Sequence, residues 1–370
     1  MTLRIVADRN ISLVAEAFAG LGEVVTLPAA ELTPAAVRDA DLLLVRSTVR
    51  VGPLLLDGSR VRFVATATIG VDHLDREWLA SREIRWACAP GSNAGSVVQW
   101  FAAALLRSCA RHHHDPARLQ AGVVGVGQVG SRIERLCRAL GGPVPLACDP
   151  PRAGAEGPGG FVSLDVLLAT SDLVTLHVPL EHAGAHPTFH LIDATRLQHL
   201  RPRALLVNAA RGEVVDGAAL LVALDAQQLD GAALDVWEHE PEPDPALVAR
   251  CTVATPHIAG HSLDGKVNGT RMIYAAACDF LGVAPAWSPV LPLAAPLTLD
   301  SAGWSDAELL LRAVAAGYRI EHDEAVLRER PQDFRSYRQS YPVRREHPSV
   351  PLTFDPPRPA VEAALRSLLG

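Results

Sequence analysis

The hexapeptide Gly125-Val126-Gly127-Gln128-Val129-Gly130 constrains this chain more than any other stretch of it. A G-x-G-x-x-G pattern alone is weak evidence in a chain with 28 glycines, but its surroundings sharpen it. The apolar run Gln120–Val124 leads straight into the glycines, and a helical pattern over about Gln128–Leu140 follows. The glycines therefore fall at a strand-to-helix turn, where backbone N–H groups and the helix dipole can receive a pyrophosphate. Asp149 closes the next apolar run, 19 residues after Gly130. A carboxylate at that place accepts hydrogen bonds from a ribose and repels a 2′-phosphate, which predicts NAD and not NADP as the cofactor. The competing explanation is a glycine turn that serves only tight strand–helix packing.

Strand-like runs recur after the hexapeptide at Val144–Cys148, Leu173–Val178, Ala204–Asn208, Gly231–Val236 and Thr252–Thr255, separated by helical stretches. With Gln120–Val124 they make six strands of a doubly wound parallel sheet. The first ninety residues show the same rhythm, with strands at Leu3–Ala7, Asp41–Arg46 and Val61–Thr66. These runs are apolar almost throughout, as in parallel sheets covered on both faces. The expected fold class is therefore α/β, with two doubly wound domains and a smaller C-terminal unit. Residues 1–92, completed by a returning helix near 270–286, would form a flavodoxin-like substrate domain, and 93–269 a Rossmann dinucleotide domain. Four prolines between 285 and 296 read as a stiff linker to the unit 290–370.

Charge excludes some partners. With 34 Lys+Arg against 41 Asp+Glu, the net charge of −7 is unlike that of a nucleic-acid-coating protein. The arginines at 328–345 are matched by nearby acids and read as a solvated or interface surface. The apolar stretches 86–106 and 280–299 are interrupted by prolines or polar residues, so no membrane span is expected. Arg4, Asp8 and Arg9 interrupt the start of the chain before a secretory signal could develop. The six cysteines, scattered without a C-x-x-C pair, suggest reduced thiols and a cytoplasmic protein. His112-His113-His114-Asp115 lacks spaced partners, so no metal is expected.

Arg211, Glu240 and His257 each follow a predicted strand, and in an open parallel sheet such loops share the ligand end. Together they suit oxidation of a 2-hydroxy acid. A guanidinium grips the carboxylate, an imidazole takes the hydroxyl proton, and a carboxylate orients the imidazole and raises its basicity. Singly, each could be an ordinary loop residue.

The combination is carried by a resemblance. Asn208-Ala209-Ala210-Arg211-Gly212, Leu234-Asp235-Val236-Trp237-Glu238-His239-Glu240-Pro241 and Thr255-Pro256-His257-Ile258-Ala259-Gly260 resemble the three signature blocks of the D-isomer-specific 2-hydroxyacid dehydrogenases. Val45-Arg46-Ser47, the segment Thr66–His73, Ala89–Ala94, Cys148–Arg152 and His257–Lys266 are similar to one member of that family, which oxidises a phosphorylated 2-hydroxy acid in vitamin B6 synthesis. The resemblance implies Arg211, Glu240 and His257 as catalytic residues. It implies Ser47, Thr68 and His261 at the substrate, and Gln128, Val129, Asp149, Val178, Ala209, Ala210, Asp235 and Gly260 at NAD. Two positions depart from it: His261 stands where a tyrosine is implied, and Val178 where a threonine is. It further implies a homodimer through the C-terminal unit, where Trp304, Phe334, Tyr337 and Tyr341 would suit an interface. The alternatives are another dehydrogenase of the family, such as one acting on 3-phosphoglycerate, or an NAD-sensing interaction protein. The three reacting residues argue against the last, since binding alone needs no proton relay.

Overall fold

The structure is a computed structural model that describes residues 2–369. The chain forms two compact units, one from residues up to Asn93 with Ser262–Pro292, the other from Ala94–His261 with the segment from Leu293 onward.

In the first unit five strands, β1 (Arg4–Asp8), β2 (Glu23–Leu27), β3 (Leu42–Val45), β4 (Phe63–Thr66) and β5 (Arg85–Ala87), are all parallel in the order β2-β1-β3-β4-β5. Every residue of β3 and β4 is buried, which accounts for their unbroken apolar runs. β2 and β5 lie at the edges, partly exposed, and their patterns are correspondingly hard to see in the sequence. The helix Leu263–Leu281 closes this unit; Ser262 caps its start through Gly265 N–H, and Gly282 ends it at φ 69°. Ile273, Tyr274, Ala277 and Cys278 of this helix enter the core beside Phe18 and Phe63.

The second unit carries six parallel strands, β6 (Ala121–Val124), β7 (Leu146–Cys148), β8 (Leu173–Leu176), β9 (Leu205–Asn208), β10 (Gly231–Leu234) and β11 (Val253–Ala254), in the order β11-β10-β9-β8-β6-β7. These are the six strands expected from the sequence, shortened at their ends. The winding repeats that of the first unit with one strand added, and it reverses between β6 and β8. A crevice opens at such a reversal, beyond the C-terminal ends of the strands.

A separate C-terminal unit is the expectation from the sequence, yet the segment after Leu293 shares a core with the second sheet. Strands β12 (Leu297–Asp300) and β13 (Leu352–Asp355) pair in parallel, and the helix Asp306–Val314 packs Leu309, Leu310 and Leu311 into one cluster with Trp100, Phe101 and Leu105. The reason lies in the helix Ala94–His112, which buries 12 of its 19 residues and so needs cover on more than one side. No helix among the described residues is long and apolar enough to cross a membrane.

Candidate active site

The turn after β6 is built by glycines with different tasks. Gly125 has φ +83°, and a Cβ there would lie 2.7 Å from the carbonyl oxygen of His177. At Gly130, the first residue of the helix Gly130–Ala139, a Cβ would run into the carbonyl oxygen of Gly125. Gly127 faces open space, with nothing within 4 Å of a built Cβ, so a ligand can approach its backbone. This is the cradle a pyrophosphate requires. Gln128 and Val129 continue the turn into the helix. Asp149 follows β7 directly; its carboxylate accepts from Val126 N–H (2.8 Å) and caps the helix Pro150–Glu156 through Arg152 N–H (3.1 Å). The Arg152 guanidinium is held by both oxygens of Glu156 (2.7 and 2.8 Å) and donates to the Val126 carbonyl (2.7 Å). Across the reversal, Val178 lies two residues past β8, and its Cγ1 would meet a Cβ on Gly125 at 2.8 Å.

Asn208, the last residue of β9, clamps the next turn. Its amide donates to the Arg211 carbonyl (2.8 Å) and its oxygen accepts from Ala210 N–H (3.0 Å). Ala209, Ala210 and Arg211 are thereby held at the same end of the sheet as the glycines, and Arg211 Nη1 donates to the Ala210 carbonyl (2.8 Å). This task of Asn208 is not apparent from the sequence, although the residue stands inside the first signature block.

β10 delivers the most constrained part. Asp235, 1% exposed, accepts from Thr255 Oγ1 (2.6 Å), Ile258 N–H (2.9 Å) and Ala259 N–H (2.8 Å). Its carboxylate is thus committed to the loop after β11. Burial pushes the carboxyl above its ordinary range, against the neighbouring His257 and these three donors. Thr255 is pinned in turn by the indole N–H groups of Trp100, to its hydroxyl, and Trp237, to its carbonyl (2.9 Å each). On this loop His257 adopts φ +54°, and its N–H donates to the Asp235 carbonyl (2.7 Å). The imidazole Nδ1 lies 2.6 Å from Glu240 Oε2, while Glu240 Oε1 accepts from Trp237 N–H (3.0 Å). Burial would raise the Glu240 carboxyl, but the charges of His257 and Arg338 and the bonds from His257 and Trp237 hold it below the usual carboxylate range. The arrangement can take up a proton at the imidazole and stabilise the resulting cation with an ionised carboxylate.

Arg338 belongs to this constellation without any signal in the sequence. Its Nε donates to the His257 carbonyl (3.1 Å) and its Nη1 lies 3.9 Å from Glu240 Oε2. Gly260 and His261 end the same loop, and the His261 ring meets Tyr341 edge-on at 5.5 Å.

Ser47 and Thr68 belong to the first unit, each two residues beyond the paired strands β3 and β4. Ser47 is exposed. Thr68 donates to the Gly70 carbonyl (3.1 Å) and meets Thr66 Oγ1 (2.7 Å), which His73 Nε2 contacts at 3.0 Å. Burial drives His73 down to about 4, so it stays neutral at ordinary pH. The histidines of the 112–114 run are tied to strand ends, His112 to Thr252 Oγ1 (2.9 Å) and His114 to Asp230 Oδ2 (2.8 Å).

A cradled dinucleotide site beside a carboxylate-held histidine defines an NAD-binding oxidoreductase. Residues 96–259 match the family model of the D-isomer specific 2-hydroxyacid dehydrogenase NAD binding domain. The crystal structure of D-lactate dehydrogenase from Aquifex aeolicus, complexed with NAD and lactic acid, shares the fold at a TM-score of 0.63 and 22% identity, covering 75% of this chain and 95% of that one. The erythronate-4-phosphate dehydrogenase of Ectopseudomonas mendocina is 45% identical over 99% of both chains, and that of Salinibacter ruber is 50% identical over 78% of this chain and 74% of its own. The chain belongs to the erythronate-4-phosphate dehydrogenases of this NAD-dependent family.

Proposed function

We propose that the protein oxidises 4-phospho-D-erythronate to 3-hydroxy-2-oxo-4-phosphobutanoate with NAD, a step toward pyridoxal phosphate. The observation that carries this reading is the 2.6 Å contact between His257 Nδ1 and Glu240 Oε2. It commits Nδ1–H to the carboxylate and leaves Nε2 as a base aimed elsewhere. Arg211, on the turn clamped by Asn208, is the cation for the substrate carboxylate, whose planar shape a guanidinium fork matches. The substrate hydroxyl gives its proton to Nε2 of His257, and Glu240 stabilises the imidazolium until the proton passes to water. When bound, NAD supplies the acceptor for the hydride that leaves the same carbon. The resemblance implies Ser47, Thr68 and His261 as further hydrogen-bonding residues for the substrate.

The residues present fit NAD. Gly125, Gly127 and Gly130 leave its pyrophosphate a cradle that Cβ atoms would close, with Gln128 and Val129 at the start of the helix. Asp149 offers a ribose acceptor, and Arg152 is bound by Glu156 and so provides little attraction for a 2′-phosphate. Val178, Ala209, Ala210 and Gly260 would line the remainder, with Asp235 acting through the loop it holds. Side-by-side assay of 4-phospho-D-erythronate and 3-phosphoglycerate, following NADH absorbance, tests the reading. Preferential turnover of the first supports it, and turnover of the second alone overturns it.

A homodimer in the cytoplasm completes the reading. All six cysteines are free and five are buried, as suits a reducing compartment. The aromatic residues from which the interface was expected are largely spent within the chain. Phe334 is 1% exposed, Tyr337 and Tyr341 bond Asp323, and Trp304 stacks on Arg312. Val290, Leu293 and Val343, exposed at 89%, 98% and 78%, are the apolar side chains near this end of the chain that an interface would cover. Light scattering of the full chain against a Leu293→Glu, Val343→Glu variant tests this, with a folded monomer as the expected variant.

A further inference from the structure

The loop that presents His257 is held from behind by the C-terminal segment at three alternate residues. Arg338 Nε donates to the His257 carbonyl (3.1 Å), Arg344 Nη2 donates to the Ala259 carbonyl, and the Tyr341 ring meets His261 (5.5 Å). The holding segment is itself fixed. Asp323, 2% exposed, accepts the hydroxyls of Tyr318, Tyr337 and Tyr341, and Phe334 is buried in the core with Leu327. The holding residues, from Tyr318 to Arg344, all lie beyond position 259, where the match to the family's NAD-binding domain ends.

We infer that Arg338 is a positioning residue of the Glu240–His257 pair, holding the loop of the histidine in place and placing a positive charge beside its carboxylate partner. This inference rests on the proton-relay reading above. The guanidinium makes two different contacts with the pair: a hydrogen bond that fixes the His257 backbone in its left-handed conformation, and a charge 3.9 Å from the Glu240 oxygen that also meets Nδ1. Charged groups face His257 from three elements: Asp235 at the end of β10, Glu240 on the next loop, and Arg338 from the C-terminal helix Phe334–Gln339. Asp235 and Glu240 carry the sign opposite to an imidazolium and Arg338 the same sign. Arg338 is also one of the charges that hold the Glu240 carboxyl ionised, so without it this partner of His257 would stay protonated to higher pH.

The test compares Arg338→Gln and Arg338→Lys with the parent chain in the oxidation direction across pH. In Arg338→Gln we expect the acidic limb of kcat/KM to move up by about 0.5–1 pH unit and kcat at neutral pH to fall about tenfold, with KM for the acid changed less than threefold. Lysine restores the charge without the fork, so it should return the limb while leaving part of the kcat loss. NADH binding by fluorescence and the melting temperature show that both variants are folded. An unshifted limb in Arg338→Gln, with either normal kcat or a uniform loss that lysine does not rescue, overturns the inference. Should the parent chain turn over no 2-hydroxy acid, the function fails separately. The inference is then read from the NMR resonances of the His257 ring at fixed pH, which must move in Arg338→Gln and return toward the parent values in Arg338→Lys; unmoved resonances sink it.

Discussion

The two sheets are wound alike, β2-β1-β3-β4-β5 in one unit and the same pattern plus one strand in the other, yet only one carries a dinucleotide cradle. β1 ends on Asp8, a wholly buried side chain whose Oδ1 accepts Asn10 N–H (2.9 Å) in the turn that follows, and the next helix, Val14–Phe18, has five residues. After β6 the turn opens with Gly125 and leads into the ten-residue helix Gly130–Ala139. The winding provides a crevice in each case. What differs is whether side chains fill the turn and whether a helix of useful length points at it. Equal topology is therefore no guide to equal chemistry.

The contrast is broken most severely at the Glu240–His257 pair of the second unit, proposed above as the proton relay. His257→Ala should cut kcat by about 10²–10⁴-fold. NAD binding measured by calorimetry should stay nearly unchanged, because the cradle lies on other loops. Near-normal turnover would remove His257 from the reaction.

The glycines offer a sharper comparison within the cradle. Gly130→Ala forces a Cβ against the Gly125 carbonyl and should cost about 1–3 kcal/mol of stability along with NAD affinity. Gly127→Ala meets open space and should leave the melting temperature within about 2 °C, yet weaken NAD roughly tenfold by blocking the approach of the pyrophosphate. Equal losses of stability in the two variants would refute this division of tasks.

A smaller change is expected from Asp149→Ala, which removes the ribose acceptor and the cap on Arg152 N–H. The ratio of NAD to NADP activity should fall about tenfold, and the lost cap should cost about 1 kcal/mol. An unaltered ratio would show that Asp149 does not contact the ribose.

Acid should weaken both units, because each holds a histidine on a threonine hydroxyl whose proton affinity burial lowers. His73 sits on Thr66 and is lowered to about 4; His177 sits on Thr175 (2.8 Å) and is lowered to about 3, both by burial. Between the unfolded value near 6.5 and these folded values, the unfolded chain binds protons that the native one does not. Stability from each group is therefore complete above about pH 6.5 and drains away as pH falls toward 4. For His73 the loss amounts to about 2–3 kcal/mol. Urea titrations at pH 7 and 4.5 check this, and His73→Gln should flatten the difference.

Much of this was legible along the chain, and particular residues show where that stops. The six strands of the second sheet announce themselves because a strand buried on both faces must be largely apolar, as β8 and β9 are apart from Thr175 and Asn208. The glycine turn, Asp149 and the sites of Arg211, Glu240 and His257 are likewise readable, since strand ends and turns follow from nearby residues. The edge strands β2 and β5 escaped notice because their half-exposed pattern is weak. The placement of Arg338 is of a different kind. Its bond to His257 spans 81 residues, and in the sequence it is one arginine among several in a charge-balanced stretch. Local sequence determined the strands, the dinucleotide turn and the places of Arg211, Glu240 and His257 at strand ends, because each depends on neighbours within a few residues. Tertiary structure alone decided what lies behind the histidine: the burial of Asp235, the three tyrosines on Asp323 and the guanidinium beside Glu240. The first two are made within the second sheet's loops and within the C-terminal segment, and the third only where that segment meets the loop of His257, 81 residues away in sequence.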